Sequence, residues 1–180
     1  TFEQLMRSLL GARQMPDLTV VSWLPFYHDM GLVLGVCAPI LGGFAADLTS
    51  PVAFLEQPSR WIRALATAKN AFSAAPNFAF ELAARKTTDA QLGGVAGIIN
   101  GAERVDPGTL ARFSDRFAHF NFRDDMLRPS YGLAEATVFV ASGVWDDTAV
   151  VDRFHTAALS AGPVQPCRTG GAAPGRFAPP

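Results

Sequence analysis

The chain has 180 residues, of which 49% are apolar and 17% charged, and its formal charge is −1. That size and composition predict a domain with a substantial core, exclude a disordered chain and give no sign of a nucleic-acid partner. Cys37 and Cys167 are too far apart in sequence for a CxxC site, so we expect no disulfide framework and no zinc site. The most apolar stretch, 30–44, is too short and too interrupted by glycine and proline to span a membrane, and we expect a cytoplasmic protein.

Strand-like and helix-like patterns alternate along the chain. The first segment, Thr1–Arg13, is predicted to be an amphipathic helix and not a signal peptide. The strands are predicted at Leu18–Leu24, Phe44–Leu48, Ala71–Ala75, Val95–Asn100, Met126–Tyr131 and Thr137–Ser142. The helices are predicted at 31–41 (buried), after Pro58 (with Trp61, Leu65 and Ala68 on one face), at Asn77–Lys86 and after Asp106. This order predicts an α/β fold whose mostly parallel sheet is flanked by helices on both faces.

Three segments at predicted strand ends are more polar than packing requires, and ligands bind parallel sheets at that edge. In the first segment, His28 and Asp29 follow a strand and precede a helix, where they either meet a ligand or simply cap the helix. Spacing alone favours the cap. In the second segment, Gly101 and Ala102 follow a strand and would let a planar ring approach the backbone. An ordinary strand-to-helix turn is the simpler interpretation of that segment.

The third segment, 131–137, combines an aromatic ring, a glycine, a carboxylate and a hydroxyl. Tyr131 is suited to stacking on a base and Glu135 to holding Mg²⁺, which together indicate a nucleotide site, although Tyr-Gly also begins many ordinary turns. Other phosphate and catalytic motifs are not found in the sequence: it has no GxxxxGK[ST] loop, no GxGxxG turn and no GxSxG elbow. The three histidines show no spacing typical of metal ligands.

Taken in order, the three segments resemble the long-chain fatty acyl-AMP ligases, a group of adenylate-forming enzymes. The resemblance is carried by Ser-Trp-Leu-Pro-Phe-Tyr-His-Asp-Met-Gly-Leu at 22–32, Gly-Ala-Glu at 101–103 and Tyr-Gly-Leu-Ala-Glu-Ala-Thr at 131–137. The sequences at 39–43, 48–51 and 73–83 agree with it. Three ordered motifs with similar sequence between them are more specific than any one motif. The similarity is close over Leu18–Ser142 and weaker over Asp146–Cys167.

The resemblance implies a role for each matched residue. It implies that Tyr131 stacks on adenine, that His28 lies beside the fatty carboxylate, and that His28 and Glu135 are the catalytic residues, with Glu135 holding Mg²⁺. The implied nucleotide-binding residues are Gly101, Ala102, Glu103, Tyr131, Gly132, Ala134 and Thr137. The implied acyl-binding residues are His28, Asn77 and Phe78, although Phe78 is also explained as a plain core residue.

The family reaction is attack of a fatty carboxylate on the α-phosphorus of ATP, a substrate that enters with Mg²⁺. The ligases then pass the acyl group to an acyl carrier protein, commonly one serving a polyketide synthase, whereas acyl-CoA synthetases pass it to coenzyme A. Many relatives have threonine where this chain has Ala134, and alanine at this place favours the ligases. A fatty acyl-CoA synthetase remains the alternative enzyme, and the sequence around His28 and Asn77 disfavours an amino-acid adenylation domain.

The resemblance also predicts the organisation of the chain. It predicts a partial AMP-binding domain at 1–145, from the large N-terminal domain of an adenylate-forming enzyme, a ligase-like connecting segment at 146–167 and a flexible tail at 168–180. The family's phosphate-binding loop, ribose-binding aspartate and C-terminal catalytic lysine have no counterpart among these residues. We therefore expect the isolated chain not to complete adenylation. A non-catalytic remnant that binds an acyl chain, a nucleotide or a partner protein is the alternative from another class.

Overall fold

A six-stranded sheet organises the residues that the computed structural model describes, which are 15, 17–143, 147–152 and 154–155. The strands are β1 (Thr19–Ser22), β2 (Ala45–Leu48), β3 (Ala71–Ala75), β4 (Val95–Asn100), β5 (Leu127–Tyr131) and β6 (Ala141–Ser142). Their spatial order is β2-β1-β3-β4-β5-β6. The first five strands are mutually parallel and β6 is antiparallel to β5, so the predicted mostly parallel sheet is confirmed.

Helical segments connect the strands. They are α1 (Asp29–Leu32), a π-helical segment (Val33–Cys37), α2 (Ala38–Gly42), α3 (Pro51–Glu56), α4 (Ser59–Thr67), α5 (Asn77–Lys86) and α6 (Pro107–Phe117). Short 3-10 turns occupy Ala118–Phe120, Asp124–Met126 and Ala134–Ala136. No helix in the described ranges is long and apolar enough to cross a membrane. The predicted opening helix at Thr1–Arg13, the tail at 168–180 and most of the connecting segment 146–167 lie outside the described residues.

Helices cover both faces of the sheet. On one face, the π-helical segment packs so closely that a Cβ on Gly35 would lie 3.1 Å from Ser22 Oγ in β1. On the other face, Trp61 Nε1 of α4 donates a hydrogen bond to Ser73 Oγ of β3 at 3.0 Å, and that hydroxyl donates to the carbonyl of Val21 at 2.6 Å. Because successive side chains of a strand point to opposite faces, the neighbours Val21 and Ser22 direct their side chains to these two different layers.

An aromatic core fills the layer under α3–α6. Trp23 stacks on Phe54 with ring centroids 3.9 Å apart, and edge-on contacts continue from Trp61 to Phe80 to Phe113. These rings are almost completely buried. Edge-to-face and offset-stacked pairs contribute about 0.5–1.5 kcal/mol each beyond the burial of their area. This ladder therefore fixes how α3, α4, α5 and α6 pack on the sheet.

Several predicted elements match closely and others need correction. β3, β4 and α5 have the predicted bounds, and α6 begins after Asp106, whose side chain accepts from the Thr109 backbone N–H at 2.7 Å. Pro58 caps α4, but this helix ends one residue before Ala68. Helix α3 was not predicted, although Ser50 and the following proline are a strong start signal.

Two predictions were wrong in part. The helix predicted as buried at 31–41 is only half buried, because Leu32 and Ile40 face solvent with exposed fractions of 44% and 74%. It ends as expected at a glycine, Gly43, which adopts φ 69. The strand predicted at Thr137–Ser142 is reduced to its last two residues, since Thr137 and Val138 have positive φ values that no strand accommodates.

The strand order places the candidate site. The chain moves from β1 outward to β2 and then crosses back over β1 to β3, so the order reverses between β1 and β3. Right-handed crossovers put the connections on opposite faces at such a reversal, which opens a crevice beyond the carboxyl ends of the two strands. The loops after β1, β3, β4 and β5 all reach this edge.

Candidate functional site

Two cavities lie side by side at the carboxyl edge of the sheet. The first has a volume of about 280 Å³ and is lined by residues from the loops after β1, β4 and β5. Its lining is His28, Asp29, Met30, Leu34, Ile99, Gly101, Ala102, Ser130, Tyr131, Gly132, Leu133, Ala134, Val138 and Phe139. Three segments distant in sequence therefore build one concave surface.

The second cavity has a volume of about 350 Å³ and lies at the reversal point between β1 and β3. Its lining is Trp23, Leu24, Pro25, His28, Met30, Pro51, Leu55, Pro76, Phe78, Ala102 and Glu103. Most of these side chains are apolar, and α3 supplies one wall. A mainly apolar cleft with few polar groups is suited to an apolar ligand that carries one polar end.

The two cavities share three residues, His28, Met30 and Ala102. His28 is half exposed and Ala102 is exposed, whereas Met30 is buried. A ligand in one cavity and a ligand in the other would therefore meet at these residues. The sequence could not predict this junction, because Ala102 belongs to a different segment of the chain from His28 and Met30.

His28 both caps a helix and lines the two cavities, so its role as a cap does not exclude contact with a ligand. Its Nδ1 lies 3.2 Å from the Met30 backbone nitrogen and 2.8 Å from Asp29 Oδ1. The Met30 N–H also donates to Asp29 Oδ1 at 2.9 Å. Nδ1 accepts from the Met30 N–H, and no described residue hydrogen-bonds Nε2. The ring is thus fixed on one side and free to bind a ligand on the other.

The turn after β5 depends on a glycine. A Cβ on Gly132 would lie 1.5 Å from the Val138 carbonyl oxygen, a distance that no side chain tolerates. The Val138 N–H donates to the Leu133 carbonyl at 3.0 Å, and the Val140 N–H donates to the Tyr131 carbonyl at 3.0 Å. The loop 132–140 therefore folds back tightly on the end of β5, where it presents Val138 and Phe139 to the first cavity.

Strained backbone is concentrated beside the first cavity. Among the described residues, five other than glycine have positive φ. Two are asparagines in turns, Asn70 and Asn121, which tolerate this conformation. The other three are Ala102 (φ 65), Thr137 (φ 54) and Val138 (φ 72). Left-handed backbone costs such residues roughly 1–2 kcal/mol each. Strain of this kind persists at functional sites where surrounding contacts impose it.

The structure brings most of the implied nucleotide-binding residues together, but not all. Gly101, Ala102, Tyr131, Gly132 and Ala134 line the first cavity, and the Tyr131 side chain is exposed at 62%. Two residues of this set, Glu103 and Thr137, do not line it, and neither does Glu135, which the resemblance implied as the metal-holding residue. Glu103 lines the second cavity instead, and its carboxylate accepts from the Phe78 backbone N–H at 2.8 Å.

The implied acyl-binding residues do not all line the second cavity. Phe78 lines the second cavity, but Asn77 lines neither cavity. The Asn77 side chain is occupied by hydrogen bonds to Asn100, Asp106 and Thr109. The resemblance had implied a place in the acyl wall for Asn77, and the structure places it in a polar network behind that wall.

The one carboxylate implied for a metal is Glu135, which is exposed in the 3-10 turn Ala134–Ala136 next to the first cavity. The described residues contain no group of three or more side chains that would hold a metal ion by themselves. A single carboxylate fits Mg²⁺, since this ion keeps several waters and is bound largely through substrate phosphates. The residues present therefore fit an ion that arrives with a phosphorylated ligand.

Sequence reasoning missed residues that support the site. Arg128 of β5 is buried, and burial holds the pKa of its guanidinium below the usual range. Its Nη2 donates to the Gly143 carbonyl at 2.7 Å, which ties the end of β6 to β5 below the cavity loop. Met30 was inside a recognised motif, whereas nothing in the sequence pointed to Val138 or Leu55.

Comparison with known proteins agrees with this geometry. The sequence model of the family described as AMP-binding enzyme matches residues 1–167. FadD21 of Mycobacterium tuberculosis, named as a fatty-acid–CoA ligase, is 59% identical over 174 residues, which are 92% of this chain and 30% of that protein. FadD28 of the same organism, named as a long-chain-fatty-acid–AMP ligase, is 54% identical over 179 residues, 95% of this chain and 31% of that protein. The chain thus spans about 30% of the length of these curated relatives.

Solved structures show the same fold. The fatty acyl-adenylate ligase of L. pneumophila, in complex with acyl adenylate and pyrophosphate, is 30% identical and superimposes with a TM-score of 0.74 over 86% of this chain and 29% of that one. A structure from a study of the fatty acyl-adenylate ligases of E. coli and L. pneumophila superimposes with a TM-score of 0.75. It is 28% identical, over 84% of this chain and 28% of that one. The family model covers most of the chain, the solved ligases share its fold, and the chain belongs to the AMP-binding enzyme family.

Proposed function

We propose that this chain is the part of a long-chain fatty acyl-AMP ligase that brings a fatty carboxylate to the nucleotide. The observation that carries the proposal is the junction of the two cavities at His28, Met30 and Ala102. An enzyme that joins an acyl chain to AMP needs an apolar cleft and a nucleotide site that open onto each other. The name of FadD28 and the ligand complex of the L. pneumophila ligase support the same function.

In this proposal, the first cavity binds the adenylate. Tyr131 stacks on adenine, and the small residues Gly101 and Ala102 line the other side of the base. The exposure of the Tyr131 ring, 62% in this structure, leaves its face available for stacking. Gly132 and Ala134 complete the turn beneath the ligand, with Thr137 beside it.

The second cavity binds the fatty acid. Phe78 and Leu55 form apolar walls, and the carboxylate end lies toward His28. His28 Nε2 donates a hydrogen bond to a carboxylate oxygen or a phosphate oxygen and so orients it. The imidazole is suited to this role because the Met30 N–H already holds Nδ1, which leaves Nε2 for the ligand.

The proposed reaction is a displacement at phosphorus. A carboxylate oxygen attacks the α-phosphorus of ATP, the bond to the bridging α–β oxygen breaks, and pyrophosphate leaves with the electron pair. Positioning and charge stabilisation supply most of the rate in such a reaction. When bound, Mg²⁺ neutralises charge on the phosphate oxygens. Glu135 is the residue of this chain that we assign to hold it.

The acceptor of the acyl group is proposed to be an acyl carrier protein, commonly one of a polyketide synthase, in the cytoplasm. Ala134, in place of threonine, supports a ligase. The alternative is transfer to coenzyme A, and the name of FadD21, which is 59% identical, favours it. Consumption of acyl-AMP by coenzyme A in the complete protein would support the alternative.

A calorimetric titration with a non-hydrolysable long-chain acyl-AMP analogue tests the proposal. The ligands are the analogue, AMP alone and dodecanoate alone, each titrated into the full 180-residue chain. We expect saturable binding of the analogue that is tighter than binding of either part, because one ligand then fills both cavities.

Two variants locate the binding. We expect Tyr131→Ala to weaken binding of the analogue and of AMP but not of dodecanoate. We expect His28→Ala to weaken binding of the analogue more than binding of the other two ligands. Tyr27→Ala is the matched control, since Tyr27 is 93% exposed and lines neither cavity. If a chain with a cooperative unfolding transition fails to bind any of the three ligands, the proposal is wrong.

A further inference from the structure

The loop between β4 and α6 is fastened at both ends by a single oxygen atom. Asn77 Oδ1, at the start of α5, accepts a hydrogen bond from Asn100 Nδ2 at 3.2 Å and from the Asp106 backbone N–H at 3.1 Å. Asn100 directly precedes the loop 101–105, and Asp106 directly follows it. Asn77 therefore holds both ends of the loop beside the start of α5.

A second contact fastens the middle of the same loop to the same helix. Glu103 Oε1 accepts from the backbone N–H of Phe78, the second residue of α5, at 2.8 Å. The first backbone N–H groups of a helix have no partner within the helix, and Pro76 at the N-cap has no acceptor side chain. Glu103 takes the place of the missing cap, so the loop and the helix start form one unit.

The orientation of the Asn77 amide is also determined. Thr109 Oγ1 donates to Glu81 Oε1 at 2.8 Å, so it accepts from Asn77 Nδ2, which lies 3.2 Å away. This leaves Oδ1 as the group that faces the loop. Asn100 is fully buried and Thr109 is nearly so, which makes the network costly to break.

This unit connects the two cavities. Phe78 lines the second cavity, and Ala102, inside the fastened loop, lines both. A displacement of Phe78 by an occupant of the second cavity would act on Glu103 through their hydrogen bond, and Glu103 is the residue next to Ala102. Ala102 is already held with a strained backbone, φ 65, so it has little freedom to relax by itself.

We infer that Asn77 and Glu103 are positioning residues that couple the acyl cavity to the nucleotide cavity, so that filling one cavity increases the affinity of the other. The inference rests on the proposed function, and it gives Asn77 a role other than contact with the acyl chain. Coupling between sites is reciprocal, and coupling factors of roughly 5–150-fold are typical.

The test measures AMP affinity of the full chain by calorimetry with and without saturating dodecanoate, and dodecanoate affinity with and without AMP. In the unsubstituted chain we expect each ligand to increase the affinity for the other by about 5–10-fold. In Asn77→Ala and in Glu103→Ala we expect this factor to fall toward one, with smaller changes in the affinity of each ligand alone. Glu103→Gln keeps an acceptor oxygen and is expected to restore the coupling.

Arg85→Ala is the control on the same helix, because Arg85 is exposed and touches neither the loop nor a cavity. It should leave the factor unchanged. Thermal unfolding identifies any variant that fails to fold, and the exposed position of Glu103 keeps the test available if Asn77→Ala does not fold.

Persistence of full coupling in folded Asn77→Ala and Glu103→Ala would overturn the inference, as would independent binding of the two ligands to the unsubstituted chain. Both results leave the proposed function in place, since both cavities still bind their ligands. Failure of the unsubstituted chain to bind AMP and dodecanoate is a different result, which overturns the proposed function itself.

Discussion

The aromatic core and the cavity rim follow opposite rules. In the core, Trp61, Phe80 and Phe113 are fully buried, pack edge to face and lie on regular helices. At the rim, the Tyr131 ring is exposed, and Thr137 and Val138 adopt backbone conformations that their side chains disfavour. The comparison shows that local preference and tertiary packing agree where the chain needs stability. They conflict where the chain must present a shaped surface to a ligand.

The largest expected effect is a difference in stability between substitutions in the aromatic core and at the cavity rim. Phe113→Ala removes a ring that contacts Phe80 and Phe122, and we expect a loss of about 3–5 kcal/mol in the free energy of unfolding. Tyr131→Ala removes an exposed ring and should change that free energy by less than about 0.5 kcal/mol. Urea denaturation of both variants makes the measurement. A loss for Tyr131→Ala comparable to that for Phe113→Ala would remove the distinction between core and rim.

The next largest expected effect is on ligand affinity, and it concerns the cavity rim. Gly132→Ala places a Cβ against the Val138 carbonyl and should open the loop after β5, with affinity for the acyl-AMP analogue reduced by about 100-fold, or ~2.7 kcal/mol. Gly143→Ala is the matched control, because a Cβ there meets nothing within 4 Å. Calorimetry gives the affinities and urea denaturation the stabilities. Equal affinities of the two variants would show that the tight turn does not shape the cavity.

A smaller effect tests whether strain at the rim serves binding. Thr137→Gly relieves a left-handed backbone at an exposed residue, and the gain is offset by the greater freedom of glycine in the unfolded chain. Stability should change by less than about 1 kcal/mol, while analogue affinity falls by about 3–10-fold because a looser loop is ordered only on binding.

Asn70→Gly makes the same backbone change at an exposed turn that lines neither cavity, so it should leave the affinity unchanged. Thr137→Gly with an unchanged affinity would mean that the strain is incidental to the site.

The smallest effect concerns pH. The hydrogen bond from Arg112, followed by one from Thr109, lowers the pKa of Glu81 against the opposing effect of burial. A lowered pKa contributes stability above the ordinary pKa of glutamate, and that stability is lost as pH falls through the folded-state value. The stability difference between the unsubstituted chain and Arg112→Ala should therefore be present at about pH 7 and shrink toward about pH 3.

Urea denaturation at the two pH values measures this difference, and added salt should also reduce it, because Arg112 is largely exposed. Arg85→Ala, whose guanidinium lies 3.5 Å from Glu81 on the solvent side, should show a smaller difference. A difference for Arg112→Ala that does not depend on pH would point to lost packing of the side chain and not to its charge.

Much of the fold was readable from local signals. β3 and β4 have the predicted bounds because strands covered on both faces are largely apolar, and each contains one buried polar residue, Ser73 or Asn100. Helix α6 was located by an N-cap followed by proline. Helix α3 carried the same kind of signal at Ser50 but is only six residues long, so it has little periodicity to recognise. The second half of the loop between β5 and β6 was wrongly predicted to be a strand, because its apolar side chains line a cavity and not a strand face.

The sequence by itself determined the class of fold, the family resemblance and the three segments that form the site. It did so because periodicity, caps and motif residues are properties of neighbours in the chain. Only the tertiary structure decided that His28 and Ala102 join two cavities, that Asn77 supports a wall without facing it, and that Glu103 caps a helix that begins 26 residues earlier in the chain. These roles are set by contacts between segments far apart in sequence, and their positions follow from the packing of the sheet and its helices.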